Sequence, residues 1–407
     1  MGLALLLLAA RPAAPLAQPG PEEIPTATVD SSQVAVERDI LDILRSILGR
    51  SDQPAPSQKP RRGISRTVLP SIGYNAVSGV SLGVSIGLGG WLGDPHDTRI
   101  SSGIIGANYS TKGQTSVSFK SNVVLPRNSW VLQGDWRFLD TNQPTYGLGP
   151  TQPDQTKYPM DFTLYRLYQT ASRRIGQSAL SIGLGYRFDY YDNIRDTRAE
   201  NGESTPYTRY NGGGAPGISR ASGFSLDLVY DTRDNAINAR RGLYWNGSYQ
   251  VFAHGLGSDG SYQVFWSDLR AYTTLPKGSR HALAGWTYLW LTTGTLPYLH
   301  LPAIGWDTYG RSGRGFVQGR MRGSDVVYAE IEYRLRITRD DLLGAVAFGN
   351  MTSTRAPEDH SGGPLDFGIG GGLRIKLNKR TDTNVAIDMG HGSDGENHFF
   401  VAMQEAY

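Results

Sequence analysis

Cysteine is absent from the 407 residues, which removes disulfide frameworks, thiolate nucleophiles, iron-sulfur clusters and Cys-based zinc sites from consideration. A strong charge excess is missing too. Forty basic side chains stand against 37 acidic ones, and the formal net charge of +3 gives no reason to expect nucleic acid as a partner. No apolar run reaches the roughly 20 residues a membrane helix needs; the longest, Leu3 to Ala10, is far shorter. Hydrophobic residues make up only 39%, low for so long a globular chain. The 51 Gly, 22 Tyr, 12 Phe and 8 Trp nevertheless make the chain too aromatic for disorder. Together these shortages point to strands whose apolar atoms cover one face only.

The short apolar run is followed by Pro12, Ala13, Ala14, Pro15, Leu16, Ala17 and Gln18. It reads as the core and cleavage region of a secretory signal over residues 1–17. No Lys or Arg precedes it, and Pro15 stands where a small residue is wanted, which fits a start codon further upstream. Residues 18–62 read as a periplasmic linker containing one amphipathic helix at about 32–48. Its apolar positions Val36, Ile40, Ile43, Leu44 and Ile47 recur at helical spacing, Ser31 or Ser32 can cap its start, and Gly49 can close its end. That helix can plug a barrel, lie on the membrane surface or dock a partner.

From 63 to 407 the apolar period is two. Leu180, Ile182, Leu184, Tyr186, Phe188 and Tyr190 alternate with Ser181, Gly183, Gly185, Arg187 and Asp189. Val327, Ala329, Ile331, Tyr333, Leu335 and Ile337 oppose Tyr328, Glu330, Glu332, Arg334 and Arg336 in the same way, and Leu365 to Leu377 repeats the pattern with Arg374 and Lys376 on the polar face. Segments this long, apolar on one face and charged on the other, are the signature of an all-β transmembrane antiparallel barrel. Turn signals divide the region into about sixteen strands. Connections after the fifth, seventh, eleventh and thirteenth are long; those after the fourth, sixth, eighth, tenth, twelfth and fourteenth are short. Long outer loops and short periplasmic turns put both chain ends, and the helix, in the periplasm of a Gram-negative cell.

Chemistry of an enzymatic kind is hard to assemble. The seven His residues are scattered. Asp94, His96 and Asp97, or His391, Asp394 and His398, make at best weak metal sites, and solvated loops explain them better. No cofactor is expected. Gly212 to Gly214 and Gly370 to Gly372 introduce no helix, so they are not phosphate cradles; the second run suits a close-packed lumen face.

The connection before the twelfth strand carries more information. Between Trp306 and Gly323 it holds Arg311, Arg314, Arg320 and Arg322 among five Gly. Glu330, Glu332 and Asp388 share the inward parity of nearby strands, so an Arg folded into the lumen would find carboxylates for its planar fork, and Gly313 and Gly315 would let the backbone turn tightly around it. Gly313, Arg314, Gly315 and Phe316 resemble the Arg-Gly-Phe/Tyr loop tip of the BamA/TamA outer-membrane assembly barrels, the bacterial surface antigen family. Glu332, Tyr333 and Arg334 resemble the strand that follows it, and Tyr230 to Asn235 with Arg241 and Gly242 resemble the family's recurrent hairpin. By that resemblance, which runs from about Leu69 to Tyr407, the loop folds into the barrel, Arg314 meets one or more of Glu330, Glu332 and Asp388, and the protein assists insertion, assembly or translocation of polypeptides in outer-membrane lipid. It would be a minimal member, without periplasmic POTRA modules. Pro70, which lacks a backbone donor, and the terminal Tyr407 mark an expected lateral seam between first and last strands. A passive or gated pore is the alternative reading, and an outer-membrane enzyme a more distant one.

Overall fold

In the computed structural model, residues 37–47, 63–149, 156–277, 279–308, 310–357, 362–379 and 382–403 are described. The expected signal segment, most of the linker, and Tyr407 lie outside them. Among the described residues there are sixteen strands: β1 (Gly63–Asn75), β2 (Gly79–Trp91), β3 (Ser101–Ser110), β4 (Thr115–Val124), β5 (Val131–Thr145), β6 (Tyr158–Arg174), β7 (Leu180–Asp196), β8 (Ser219–Asp231), β9 (Gly242–Phe252), β10 (Tyr262–Thr274), β11 (Ala282–Gly294), β12 (Asp325–Arg336), β13 (Leu343–Arg355), β14 (Asp366–Asn378), β15 (Thr383–Gly392) and β16 (Asn397–Met403). Each pairs antiparallel with its sequence neighbours, and β16 returns to β1 to close the barrel. No described helix is long and apolar enough to cross a membrane; the wall is built of strands, with the two-faced alternation that the period-two pattern predicts.

Side-chain parity sets the two surfaces. Leu184 is 70% exposed on the outer wall while Asp189 is buried within. The lumen wall is lined with paired charges, which removes the cost of leaving them unpaired in a confined space. Arg166 grips Asp189 through two bonds of 2.7 and 2.8 Å, Arg187 reaches Asp227 at 2.9 Å, and Arg270 holds Asp268 at 2.7 and 2.5 Å. The last pair lies two residues apart on one strand, the spacing that puts both side chains on one face.

Long connections gather at one end of the barrel. The one between β7 and β8 carries α2 (Thr197–Glu200) and α3 (Pro206–Tyr210). Tyr207 and Tyr210 of α3 pack edge-on against Tyr298 from the β11–β12 connection, within an apolar cluster that includes Phe162, Tyr191 and Leu301. At the opposite, short-turn end, α1 (Ile40–Ile47) docks beside the turns that follow β12 and β14. Asp39 caps it by accepting the Asp42 amide at 2.9 Å. Lys379 then donates its amide to Asp39 at 3.1 Å and its ammonium to Asp42 at 2.7 Å.

One connection differs from expectation. The link after β8 spans ten residues, 232–241, and is not short. Its backbone is held by side chains: Asp234 accepts the amides of Arg240 and Arg241 at 2.9 and 3.2 Å, and Asn235 accepts those of Ile237 and Asn238 at 2.7 and 3.1 Å. Such Asx-type turns compete with ladder bonds and end strands early. Pro70 lies inside β1, opposite Val84 of β2.

Candidate functional site

The 30-residue connection from 295 to 324 folds back on itself before it meets the wall. Ala303 and Arg322 form an isolated antiparallel bridge, and Ile304 and Met321 are joined by a 3.1 Å backbone bond. Asp307 organises the descending arm by accepting from the Ser312 amide and hydroxyl, both at 2.7 Å, and from the Arg311 amide at 2.9 Å. At the tip, Phe316 donates its amide to the Gly313 carbonyl at 2.9 Å. Gly313 and Gly315 take φ values of 79° and 105°, where a side chain would be strained. A Cβ on Gly313 would also stand 2.1 Å from Ile304 Cδ1. The tip is wedged by an apolar contact among Ile304, Phe316 and Met321.

This geometry delivers Arg314 to a buried ring of charge. Its Nε donates to Glu330 Oε2 at 3.1 Å and its Nη2 to Glu330 Oε1. Nη2 also lies 2.7 Å from Glu332 Oε2, and Nη1 donates to Asp388 Oδ2 at 3.1 Å. The guanidinium carbon sits 3.8 Å from the Phe348 ring centroid, a cation–π contact strengthened by desolvation. Two further arginines complete the ring: Arg334 donates to Glu332 at 2.6 Å, and Arg374 donates to Asp388 at 2.5 Å. Three guanidinium groups therefore balance three carboxylates in a space that water hardly reaches, and Arg311 and the buried Asp307 beside them add one charge of each sign. Tyr328 donates its hydroxyl to Glu330 at 2.6 Å, and Asn350 donates to the Arg314 carbonyl at 2.7 Å, so the loop backbone is anchored as well.

Glycines make room for the tip. A Cβ on Gly390 would stand 2.6 Å from Gly315 N, one on Gly392 2.5 Å from Gly315 O, and one on Gly368 2.6 Å from Arg314 O. Each of these would meet backbone, which cannot swing away. Gly372 similarly leaves space for Asp388, whose Oδ1 would be 1.9 Å from a Cβ there. On the far wall, Lys120 of β4 and Arg137 of β5 donate to the Thr308 carbonyl at 2.6 and 2.7 Å, and Gln143 donates to the Gln318 carbonyl at 3.2 Å. The loop thus crosses the lumen, tethered at both sides.

The structure brings Arg314 together with all three of Glu330, Glu332 and Asp388, whereas Pro70 stands on a different part of the wall. Phe348, Asn350 and the glycine slot were not singled out in the sequence. Phe348 escapes because a two-faced barrel strand normally turns its apolar residues to lipid; here the lumen is filled with protein, so an aromatic ring belongs inside. Among the described residues no group of three or more His, Asp or Glu side chains is arranged to hold a metal.

Residues 104–379 match the family profile of the Omp85 superfamily domain. No curated protein matches the chain significantly. Among solved structures, BamA from Haemophilus ducreyi lacking POTRA domains 1-3 is similar at 15% identity and a TM-score of 0.54, over 84% of this chain and 70% of that one. CdiB from Acinetobacter baumannii is similar at 13% identity and a TM-score of 0.51, over 84% and 65%. CdiB from Escherichia coli gives 10% identity and 0.55, over 85% and 64%. At such identities these likenesses concern the fold.

Proposed function

This chain belongs to the Omp85 superfamily, at family level an outer-membrane barrel for protein insertion or translocation, and from that premise we propose that it assists client polypeptides through a lateral opening between β1 and β16. One observation carries the reading. Among the described residues the two strands share a single register pair, Tyr74 with Val401, whereas β1 and β2 share thirteen and β15 and β16 share seven. Among the described residues no partner on β16 stands opposite Ile64 to Ile72, and strand edge of that kind is a template for an incoming strand. A ring contact between Tyr74 and Phe399, 5.7 Å apart, helps hold the joint.

Pro70 belongs to this edge and withholds one donor from it. The short-turn end, with α1, faces the periplasm on this reading, and clients arrive there. An open pore is disfavoured, because the loop crosses the lumen and the wall charges are paired with one another.

The absence of native cysteine permits a clean test. Tyr74→Cys with Val401→Cys can be oxidised to close the seam in protein reconstituted into vesicles, and the folding rate of an added client barrel measured. Folding should be accelerated by the reduced form and not by the oxidised one, with reductant restoring the effect. Equal acceleration with the seam locked would remove the lateral route.

A further inference from the structure

Four arginines of the short-turn end are arranged differently from those of the lumen, and from Arg233 and Arg280 at the same end, which pair with Asp231 and Asp341. Arg99, Arg127, Arg173 and Arg174 are all exposed, and among the described residues none of them forms an ion pair, unlike Arg166, Arg187 and Arg270. Arg99 and Arg127 stand on two turns, and Arg173 and Arg174 are the last residues of β6 at the edge of a third, the three knitted into one platform. Arg99 donates its amide to Asn128 Oδ1 at 2.8 Å, Asn128 donates Nδ2 to the Asp97 carbonyl at 2.8 Å, and Arg127 donates its amide to Thr98 Oγ1 at 2.9 Å. Those bonds fasten the β2–β3 turn to the β4–β5 turn. They also hold Arg127 and Asn128 at φ of 59° and 52°, a left-handed pair that non-glycine residues avoid. The third turn joins through Arg173, whose guanidinium carbon is 6.0 Å from the Trp130 ring centroid.

Leu92, Ile100, Trp130 and Ile175 are exposed at 45, 48, 41 and 45% beside these arginines. They continue the lipid-facing wall down to its rim. Two carboxylates lie nearby, Asp94 and Asp97, and both serve local turns: Asp94 accepts the His96 amide at 3.0 Å and Asp97 accepts the Thr98 hydroxyl at 2.6 Å. Four guanidinium groups against two carboxylates leave the platform positive.

We propose that this platform seats the phosphates of anionic glycerophospholipids in the leaflet that meets the short-turn end. Guanidinium forks match phosphate oxygens in geometry and charge. An interfacial Trp with aliphatic neighbours marks the level where acyl chains give way to headgroups. Arg174 donates its Nε to the Ser178 carbonyl, but among the described residues no carboxylate has to be displaced from these arginines for a lipid phosphate to reach them. The proposal rests on the barrel lying in a bilayer and not on the seam.

Native mass spectrometry of the full chain in neutral detergent, titrated with phosphatidylglycerol or phosphatidylcholine, tests it. The protein should retain phosphatidylglycerol preferentially, and a folded R99Q/R127Q/R173Q/R174Q variant should retain about tenfold less or lower still. If that variant does not fold, R173Q/R174Q, which leaves the strained turn alone, should show a loss of about threefold. Four substitutions at the long-loop end, R195Q/R198Q/R209Q/R220Q, should change nothing. Wild-type retention by the folded platform variant, or an equal loss in the long-loop variant, overturns the proposal. Displacement of the lipid by equimolar glycerol 3-phosphate would assign the site to a soluble anion and overturn it as well. Client folding is not read in this assay, so its outcome is separate from that of the seam test.

Discussion

Replacing Arg314 with Ala removes one of three positive charges from a ring of six. Glu330, Glu332 and Asp388 would then share Arg334 and Arg374, leaving one buried negative charge without compensation. Arg314 is 4% exposed, and the Glu330 and Glu332 side chains with which it pairs are at 0%, so solvent screening offers little relief. Breaking a buried pair by deleting one partner costs about 3–5 kcal/mol, and loss of the Phe348 cation–π contact falls within that sum. For a domain of this size such a loss corresponds to a fall of roughly 5 °C in melting temperature. Thermal unfolding in detergent, followed by circular dichroism and by the mobility shift of the heated barrel, measures it; limited proteolysis reports whether the 295–324 segment has been released. A double-mutant cycle with Glu330→Gln separates the pair from its surroundings. In the double variant the ring is charge-balanced again, so part of the loss should return. Melting within 1 °C of wild type together with unchanged proteolysis would refute the reasoning, because no buried and uncompensated carboxylate could then have been created.

The glycine slot supplies an orthogonal perturbation: Gly390→Val puts side-chain atoms where the Gly315 backbone lies, 2.6 Å from a Cβ, and should expel the tip without altering any charge. Single-channel conductance in planar bilayers should rise, and conductance equal to wild type would contradict the view that the tip occludes the lumen. His300, in the long-loop cap, gives a pH dependence. Its Nε2 lies 3.0 Å from Ser219 Oγ, its ring packs edge-on against Tyr191 at 4.9 Å, and burial pushes its pKa down to about 4 from 6.5. Between those values the unfolded chain binds the proton and the folded one does not, so stability is full above pH 6.5 and falls as pH drops toward 4, by at most about 3 kcal/mol. His300→Gln should flatten that part of the denaturant-midpoint profile, and an unchanged slope would remove His300 as its source.

How much of this could be read from residues alone depends on whether a local rule and the three-dimensional context agree. Strand number and outward faces were legible because lipid imposes one solvent on every odd position of segments such as Leu180 to Tyr190, and the sixteen strands follow that period. The same rule misleads in β11, where Trp286 and Tyr288 are buried inward with Tyr328 of β12, and in β13 at Phe348. A lumen packed with protein rewards aromatic rings as a core does, and nothing in the alternation announces which lumens are packed. Glu330, Glu332 and Asp388 were accessible through parity and charge, since an inward carboxylate needs a cation. Gly368, Gly390 and Gly392 were not, because a glycine slot is defined by the backbone it admits, and that backbone comes from a loop far away in sequence. The ten-residue link after β8 hid for a related reason: Asp234 and Asn235 replace ladder bonds by side-chain bonds that carry no period.

The charge ring also bears on how the barrel would open. Arg314 touches β12 through Glu330 and Glu332 and β15 through Asp388, while Arg374 of β14 lies 3.6 Å from Glu332 and 2.5 Å from Asp388. Those contacts skip over intervening strands and so clamp β12 to β15 into one panel, in addition to the ladder bonds between neighbours. Only β16, seven residues long among those described, separates the panel from the β1 joint. On the proposed lateral opening, the motion then concentrates in β16 and β1, because bending the panel would stretch buried ion pairs at several kcal/mol each, whereas among the described residues parting the seam breaks a single register pair and one ring contact. Loss of Arg314 should accordingly spread the flexibility into β12 to β15. Hydrogen exchange in those strands, compared between Arg314→Ala and wild type at equal temperature, should speed up ahead of exchange in β5 to β9, and uniform acceleration around the barrel would show that the ring does not brace the wall.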